Sequence, residues 1–276
     1  MALTDQQQTK QLIEGAQRVL ITFPSGHGGD AIASSLALAL FLEKMGKQVD
    51  IIASGFELPG SFRFLPNSKR ITSGVAGLRK FIISLDLERT SLQDLSYSVE
   101  GKRLHIYLTP KQGSFTASDL TTQASDFSYD LIITIDTPDL ESLGEIYHNN
   151  TEFFYQTTIL NIDHSPTNEH FGQTNLINFN VPSTADLIFD LIESIKPELV
   201  NEDIATCLFA GLTASTKSFT TTQVTPETLS RAAKLVGLGA RREEVVMHLY
   251  RTKQLSTLKL WGRALARLKS DSARKL

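Results

Sequence analysis

The feature that most constrains the fold is a strand, a glycine-rich loop, a helix and a second strand in immediate succession. The first strand is Arg18–Phe23 (RVLITF), whose residues are typical of a buried strand. The loop Pro24–Gly29 follows, and Asp30–Met45 is an apolar, helix-forming run closed by Gly46. The second strand is Gln48–Ala53 (QVDIIA). Because two strands joined by a helix form a parallel pair with a right-handed crossover, the sequence predicts an α/β fold.

Two further apolar runs extend the predicted sheet. They are Tyr129–Asp136 (YDLIITID) and Thr158–Asp163 (TILNID), and each ends on an aspartate. The patterns of Ser183–Ile195 and Asp203–Ala214 predict helices. We therefore predict a doubly wound, mainly parallel sheet, with polar side chains at the strand ends where such sheets carry their ligand sites.

The chain between the second and third parallel strands breaks this rhythm. Phe81–Phe115 contains short alternating runs typical of antiparallel strands. We interpret it as a β-rich insertion, one arrangement of which is a hairpin added to the sheet edge. The predicted organisation is an α/β domain over residues 1–225, interrupted by the insertion at about residues 78–120, and a C-terminal helical segment over residues 226–276.

Composition excludes several classes of protein. With 276 residues, 41% of them hydrophobic and 21% charged, the chain can bury a sizeable core. The single cysteine, Cys207, excludes an internal disulfide and a cysteine-based zinc site. The polar start MALTDQQQTK lacks the apolar core of a signal peptide, and no run approaches the roughly 18 apolar residues of a membrane span. We expect a cytoplasmic protein with no membrane partner.

The formal net charge of −3 hides a basic C-terminal region. Ala240–Leu276 contains ten Lys and Arg against three Asp and Glu, so the rest of the chain is acidic. On the predicted helix Leu255–Lys269, the residues Lys259, Arg263 and Arg267 are spaced by four and share one face. RNA or an acidic protein is the partner that this basic face favours, and a solvated helix face is the alternative.

Acidic and histidine side chains follow the predicted strands. Asp30 comes after the first strand, Asp136 ends the YDLIITID strand, and Asp163 and His164 end the TILNID strand. Because the carboxyl ends of parallel strands meet at one edge of a sheet, we expect these side chains to converge. Carboxylates with an imidazole suit a divalent cation such as Mn²⁺ or Mg²⁺. Two such ions about 4 Å apart can bind a phosphate and generate hydroxide.

Five sequence runs fall in an order and spacing that resemble a known family. They are GGDAIASSLAL, IITIDTPD, NIDHSPTNEHFG, PSTADLIFDLIE and FAGLTASTKSF. Together they resemble the DHH phosphoesterase family, which includes nanoRNase and 3′-phosphoadenosine-5′-phosphate phosphatases, RecJ-type exonucleases and family II pyrophosphatases. The resemblance runs from Arg18 to about Lys269, apart from the insertion, and implies the DHH-domain fold. The C-terminal helix resembles the linker to the family's second, substrate-binding domain, which we expect the chain to lack.

Several metal-ligand positions of that family are changed in this chain. By the resemblance, the initial His and the first Asp of the first motif fall on Pro24 and Gly28. The second His of the Asp-His-His triplet is Ser165. The aspartate and the glycine of the fourth motif are Ser215 and Lys217, which we place near the ligands or the substrate. The resemblance therefore implies an incomplete two-metal centre.

The resemblance also implies that Asp30, Asp136 and His164 are retained metal ligands. They predict a residual single site that holds one Mn²⁺ or Mg²⁺ weakly, or none. The family's full set brings four carboxylates to two dications, whereas two carboxylates leave about two positive charges uncompensated in a low-dielectric cleft. The alternative roles are a helix N-terminal charge for Asp30 and a hydrogen-bonded neutral imidazole for His164.

Five more residues take supporting positions by the same resemblance. We expect Asp163 to orient the neighbouring histidine rather than to bind a metal. His27 replaces the family's proline and is a candidate replacement ligand or substrate contact. Asn168, Ser183 and Thr184 match positions near the substrate phosphate, and ordinary turn and capping roles are the alternative.

We predict a DHH-family protein with little or no phosphoesterase activity, which acts by binding a phosphate, a nucleotide or a partner. One alternative is an active one-metal phosphoesterase on short oligonucleotides or phosphorylated nucleotides. The other is a nucleic-acid or ribonucleoprotein adaptor that uses the basic C-terminal helix. If the chain is an enzyme, the resemblance makes it a metal-dependent phosphoesterase.

Overall fold

The chain forms two compact units, which we call the α/β unit and the insertion unit. The α/β unit comprises residues 1–76 and 129–276, and the insertion unit is Gly77–Ser128, in the part of the chain where the sequence predicted the β-rich insertion. The computed structural model describes residues 4–26, 28–74, 78, 81–124, 127–251 and 255–267.

Strands and helices alternate through most of the α/β unit. In chain order the strands are β1 (Arg18–Thr22), β2 (Gln48–Ile52), β3 (Phe81–Leu85), β4 (Leu92–Glu100), β5 (Arg103–Pro110), β6 (Leu120–Ala124), β7 (Leu131–Ile135), β8 (Thr158–Asp163) and β9 (Thr174–Ile177). The helices are α1 (Asp5–Gly15), α2 (Gly29–Lys44), α3 (Glu145–His148), α4 (Thr151–Gln156), α5 (Thr184–Ile195), α6 (Glu202–Ser215), α7 (Pro226–Gly237), α8 (Arg242–Val246) and α9 (Leu255–Leu265).

The central sheet of the α/β unit has the strand order β2-β1-β7-β8-β9, and every pair in it is parallel. Strands β1, β7 and β8 are almost wholly buried, which explains their continuous apolar sequences. The structure thus confirms the predicted α/β fold with a mainly parallel sheet. Strand β9 was not predicted, because its four residues form no apolar run and three of them are half-buried.

Helix α2 lies at the centre of the core and contacts α5 and α6 as well as the central sheet. Twelve of its sixteen residues are buried, which agrees with its apolar character on all sides. Its N-terminal Gly29 has no room for a side chain, since a Cβ there would lie 1.8 Å from the Phe62 ring. The first turn of α2 is therefore fixed against the loop that follows β2.

The two strands β4 and β5 form an antiparallel hairpin, and β3 pairs antiparallel with β6. The idea that this hairpin extends the edge of the central sheet is wrong, because within the described residues each pair is a separate two-stranded sheet. The outer edge of β2 is instead occupied by Thr72, whose backbone exchanges hydrogen bonds with Ile51 and Ala53.

The C-terminal segment, predicted as helical, contains one irregular turn. Helix α8 is followed directly by a π-helical turn over Met247–Arg251. In that turn the Tyr250 hydroxyl donates to the Thr213 carbonyl oxygen at 2.8 Å, which ties the segment to α6. Within the part of the chain that the structure describes, no helix combines the length and the apolar character needed to span a bilayer.

Candidate functional site

Asp136 lies directly after β7 in a left-handed backbone conformation, with φ of 53°. Its amide donates to the Ile162 carbonyl oxygen of β8 at 2.9 Å, so the residue stays aligned with the neighbouring strand. Left-handed conformations are uncommon for residues other than glycine, and aspartate is among those that tolerate them best. The turn therefore fixes the backbone position from which the Asp136 side chain extends at the edge of the sheet.

Asp30 lies in the first turn of α2, and its carboxylate is bound by the start of α5. Its Oδ2 accepts from the Thr184 amide at 2.7 Å, and its Oδ1 accepts from the Ala185 amide at 3.2 Å. The Ser34 hydroxyl donates to the same Oδ1 at 3.0 Å. Gly211 of α6 leaves space for the Asp30 carboxylate, because a Cβ at this position would lie 2.8 Å from Oδ1. Asp30 thus acts as a helix cap delivered from another helix.

His164 brings the strand-end residues together. Its Nε2 lies 3.4 Å from Asp136 Oδ1 and 3.9 Å from Asp30 Oδ2. The Thr184 hydroxyl donates to Asp136 Oδ1 at 3.3 Å, and its amide binds Asp30, so one residue contacts both carboxylates. The side chains of Asp136 and His164 are 14% and 23% exposed, whereas that of Asp30 is 6% exposed. The part of this cluster that a solute can reach is the Asp136–His164 pair.

The proximity of these groups changes their acidity. Burial, and then repulsion from Asp136, raise the pKa of Asp30 to about 7. Burial lowers the pKa of His164, but hydrogen bonding to Asp136 and the charges of the nearby carboxylates outweigh it, so that the pKa of the imidazole is raised. The cluster therefore holds protons at a pH where isolated carboxyl groups are ionised.

Asp163 organises the turn after β8. Its Oδ1 accepts from the backbone amides of His164 and Ser165 at 2.7 and 3.0 Å, and its Oδ2 accepts from Asn168 Nδ2 at 2.7 Å. Burial raises the pKa of this carboxyl, and the same hydrogen bonds oppose the rise. Asp163 thus positions the backbone that carries His164.

Asn168 joins this turn to the centre of the sheet. It donates to the Thr137 carbonyl oxygen at 2.8 Å and accepts from Asn161 Nδ2 at 3.0 Å. Asn161 in turn accepts from the Thr134 hydroxyl at 3.0 Å, and both residues are fully buried. Sequence reasoning missed Asn161 and Thr134, although an amide inside the apolar TILNID run was a signal that a buried partner existed.

Asp186, in the first turn of α5, is a third buried carboxylate near the site, and the sequence analysis missed it. Its side chain is 1% exposed, and the Arg231 guanidinium lies 3.9 Å from Oδ1. Its Oδ2 has no hydrogen-bond partner within the described residues. Burial raises the pKa of Asp186 to about 6, which the Arg231 charge opposes. The sequence does show an acidic residue in the TADL run. An acidic residue in the first turn of a helix is usually exposed, however, so burial was not expected.

The other predicted site residues fall as follows. Ser183 is the N-cap of α5 and accepts from the Asp186 amide at 3.1 Å. The Ser215 hydroxyl donates to the Pro182 carbonyl oxygen, which joins the end of α6 to the start of α5. Lys217 is exposed and has φ of 49°, and the two residues after it are also left-handed. His27 lies outside the described residues.

The three residues of the predicted basic face, Lys259, Arg263 and Arg267, are all exposed. Lys259 and Arg263 lie on α9, whereas Arg267 lies two residues past its end, because α9 ends at Leu265 and not at the predicted Lys269. Leu260, Trp261 and Leu265 are exposed as well, at 65%, 52% and 63%. The role of this face in binding stays a prediction.

The donor atoms fit one metal ion better than two. With metal–ligand bonds of about 2.1 Å, two ligands of one ion lie roughly 3.0–3.5 Å apart. The 3.4 Å between Asp136 Oδ1 and His164 Nε2 meets this, and the 3.9 Å to Asp30 Oδ2 does not. Among the residues that the structure describes, no group of three or more His, Cys, Asp or Glu side chains is arranged to hold a metal ion.

Comparisons with known proteins agree with this architecture. The model of the DHH family, N-terminal domain, matches residues 18–212. "Bifunctional oligoribonuclease and PAP phosphatase NrnA" of Thermus thermophilus is 33% identical over 108 residues, which are 39% of this chain and 33% of that protein. "Uncharacterized protein MG371" of Mycoplasma genitalium is 33% identical over 114 residues, which are 38% of this chain and 35% of that protein. The chain thus matches about a third of the length of these curated relatives.

Among solved structures, an exopolyphosphatase-related protein from Bacteroides fragilis superimposes with a TM-score of 0.70 at 20% identity, covering 97% of this chain and 66% of that one. At that identity the likeness shows the fold alone. The family model, by contrast, covers more than half of the chain and includes the strands that carry Asp136 and His164. The chain therefore belongs to the DHH family.

Proposed function

We propose that the α/β unit binds a phosphorylated nucleotide or a short oligonucleotide and hydrolyses it weakly or not at all. The observation that carries this proposal is the binding of the Asp30 carboxylate by α5. Three donors, the amides of Thr184 and Ala185 and the Ser34 hydroxyl, already approach its two oxygens. A metal ion that recruits Asp30 has to compete with these donors and with the positive end of α5.

The changed family positions support the same proposal. Pro24, Gly28, Ser165 and Ser215 provide neither a carboxylate nor an imidazole where the resemblance places metal ligands. Ser215 takes part in a structural hydrogen bond to the Pro182 carbonyl oxygen. A second dication beside Asp136 therefore lacks compensating charge, which is a large penalty in a buried cleft.

The choice of ligand rests on the relatives and on the chemistry of the cleft. The Thermus thermophilus relative is named as an oligoribonuclease and a PAP phosphatase, both of which act on phosphorylated nucleotides. The N-cap of α2 is Gly28, which makes no side-chain capping hydrogen bond. The backbone amides of the first turn of α2 therefore favour an anion beside them. An ion held by Asp136 and His164 would polarise a phosphoryl oxygen. Without an ion, His164 Nε2 would instead hold a proton beside Asp136 Oδ1.

A one-metal phosphoesterase is the second candidate function. The contact of His164 Nε2 with Asp136 Oδ1, in the most exposed part of the cluster, favours it. The two candidates agree on the binding site and differ in turnover. They are separated by whether hydrolysis exceeds a trace rate when one ion is bound.

Calorimetry with Mn²⁺ and with 3′-phosphoadenosine-5′-phosphate, followed by a hydrolysis assay on the same samples, tests the proposal. We expect nucleotide binding, at most one Mn²⁺ per chain, and only trace hydrolysis. Asp136→Asn should weaken Mn²⁺ binding by at least about tenfold, since it removes one of two ligands. The matched control Asp94→Asn, which neutralises an exposed carboxylate of the insertion unit, should leave both titrations unchanged.

Two bound ions per chain, together with turnover that Asp136→Asn abolishes, would contradict the proposal and restore a two-metal hydrolase. One bound ion with steady turnover would replace it with the second candidate. Nucleotide binding that is absent with and without Mn²⁺ would remove both candidates.

A further inference from the structure

The β4–β5 hairpin has one wholly apolar face. In the antiparallel register Leu95 lies opposite Leu108, Tyr97 opposite Ile106, and Val99 opposite Leu104. Because residues two apart on a strand share a face, these three pairs lie on the same side of the hairpin. We call this surface the apolar hairpin face, which consists of Leu95, Tyr97, Val99, Leu104, Ile106 and Leu108.

This face is exposed, in contrast to ordinary apolar sheet faces. Tyr97 is 72% exposed, Val99 is 66% exposed and Leu104 is 59% exposed. Leu95 and Ile106 are also exposed, at 57% and 41%. A contiguous apolar surface of this kind is as large as the largest apolar patch of a typical monomeric protein, and such patches are often functional.

The charged residues of β4 and β5 lie on the other face, and Lys102 lies in the turn between the two strands. Asp94 pairs with Thr109 and Glu100 with Arg103 in the alternate positions of the register. Over Leu92–Pro110, all of which the structure describes, the apolar hairpin face therefore carries no charged side chain. A partner for this face must itself be apolar and uncharged, which argues against nucleic acid and against an acidic or basic peptide.

The hairpin also lacks a sheet to stabilise it. A two-stranded hairpin is at best marginally stable in water unless one face packs against another element. Within the described residues, β4 and β5 hydrogen-bond only to each other. Packing on the apolar hairpin face therefore stabilises the hairpin and buries its apolar side chains in one step.

We propose that the apolar hairpin face binds the same face of a second copy of this chain. A two-fold arrangement makes the surface its own partner, and two sheets that pack face to face form an apolar layer about 10 Å thick. The exposed fractions correspond to about 500 Å² per copy, or about 1,000 Å² per dimer, which is the lower limit for a specific interface. The association is therefore weak and depends on concentration. It does not depend on the Asp136–His164 cleft.

Sedimentation velocity over about 1 to 200 µM tests the proposal. The mean mass of the full chain should rise from that of the monomer towards twice that value. Tyr97→Lys and its cross-strand counterpart Ile106→Lys should each raise the dissociation constant at least about tenfold, since each buries a charge in the interface. The matched control is Ser96→Lys, one residue away on the same strand and on the opposite face, which should leave the dissociation constant unchanged.

Hydrogen exchange of the unsubstituted chain gives an answer that needs no variant. Backbone amides of β4 and β5 should exchange more slowly at the high concentration, while those of β8 should not change. A mass that stays monomeric throughout, or a dimer that survives both Tyr97→Lys and Ile106→Lys, would overturn the proposal. So would an equal loss of dimer in Ser96→Lys, and so would a monomeric chain that binds uncharged lipid vesicles through this face.

Discussion

The acidic and histidine side chains of the cluster form two pairs with different surroundings. Asp30 and Asp163 are buried and accept hydrogen bonds from backbone amides, Asp30 at the start of α5 and Asp163 in the turn after β8. Asp136 and His164 are partly exposed and contact each other, and Asp136 also accepts from the Thr184 hydroxyl. The difference teaches that two of the acidic residues expected near a metal centre bind backbone amides instead, and that the Asp136–His164 pair is the part left accessible to a solute.

The hydrogen bonds of the two buried carboxylates need no metal ion. Asp30 and Asp163 each contribute to stability without a metal, so that their loss is costly whether or not the protein is an enzyme. The comparison can therefore be tested by replacing a buried carboxylate that binds backbone amides, and separately the exposed carboxylate that contacts His164.

The largest effect should come from removing the buried carboxylate of Asp163. Asp163→Ala leaves three buried donors without their acceptor, and we expect the free energy of unfolding to fall by about 3–5 kcal/mol. Asp136→Ala loses the contacts with the Thr184 hydroxyl and His164 but relieves repulsion with Asp30, so that the expected fall is smaller, about 1 kcal/mol. Urea unfolding in the presence of a chelator measures both. Equal losses of stability would break the comparison.

A smaller effect should appear in the pH dependence of stability. The pKa of folded Asp30 is raised to about 7, above its ordinary value of 3.8, so the folded state binds more protons than the unfolded state between these limits. Stability that is present near pH 4 is therefore lost as the pH rises through 7, and the raised pKa values of Asp163, His164 and Asp186 act in the same direction.

Asp30→Asn tests this dependence directly. Between pH 5 and pH 8, in the presence of a chelator, the unsubstituted chain should lose on the order of 2 kcal/mol more than the variant does. Asp94→Asn removes the same charge from an exposed position, so the pH dependence of its stability should match that of the unsubstituted chain. A chain that becomes more stable towards pH 8 would show that ionisation of Asp30 does not destabilise the folded state.

The smallest effect concerns the turn after α6, where the family has a glycine. Lys217, Ser218 and Phe219 have φ values of 49°, 62° and 64°, which are unfavourable for residues with a Cβ. Lys217→Gly should stabilise the fold by about 1 kcal/mol because it relieves that strain. Lys217→Ala retains the Cβ and serves as the control. A gain in Lys217→Ala as large as that in Lys217→Gly would show that charge, and not backbone strain, sets the stability there.

Much of the α/β unit could be predicted from the sequence, because its strands are buried on both faces. Continuous apolar runs predicted β1, β7 and β8, and the apolar character of α2 predicted its central place. Short or half-buried elements escaped, as β9 shows. The hairpin was predicted, but its place was not, because the occupation of the β2 edge by Thr72 has no local signal.

The candidate site was predictable in membership and not in role. The strand ends identified Asp136 and His164, since the carboxyl ends of parallel strands converge. Asp30 accepts from two amides at the start of α5 that are 154 and 155 residues further along the chain, so no local pattern predicts this contact. The same holds for Asp186, whose burial depends on Arg231 and on the packing of α5.

The two ends of the insertion unit are joined by a backbone hydrogen bond. The Ser128 amide donates to the Leu78 carbonyl oxygen at 2.7 Å, so the chain departs and returns at nearly the same point. An excursion that closes on itself behaves as a cassette, which can be lengthened, exchanged or replaced by a short turn without altering the spacing between β2 and β7. The module that carries the apolar hairpin face can therefore diversify while the strands that carry Asp136 and His164 keep their register.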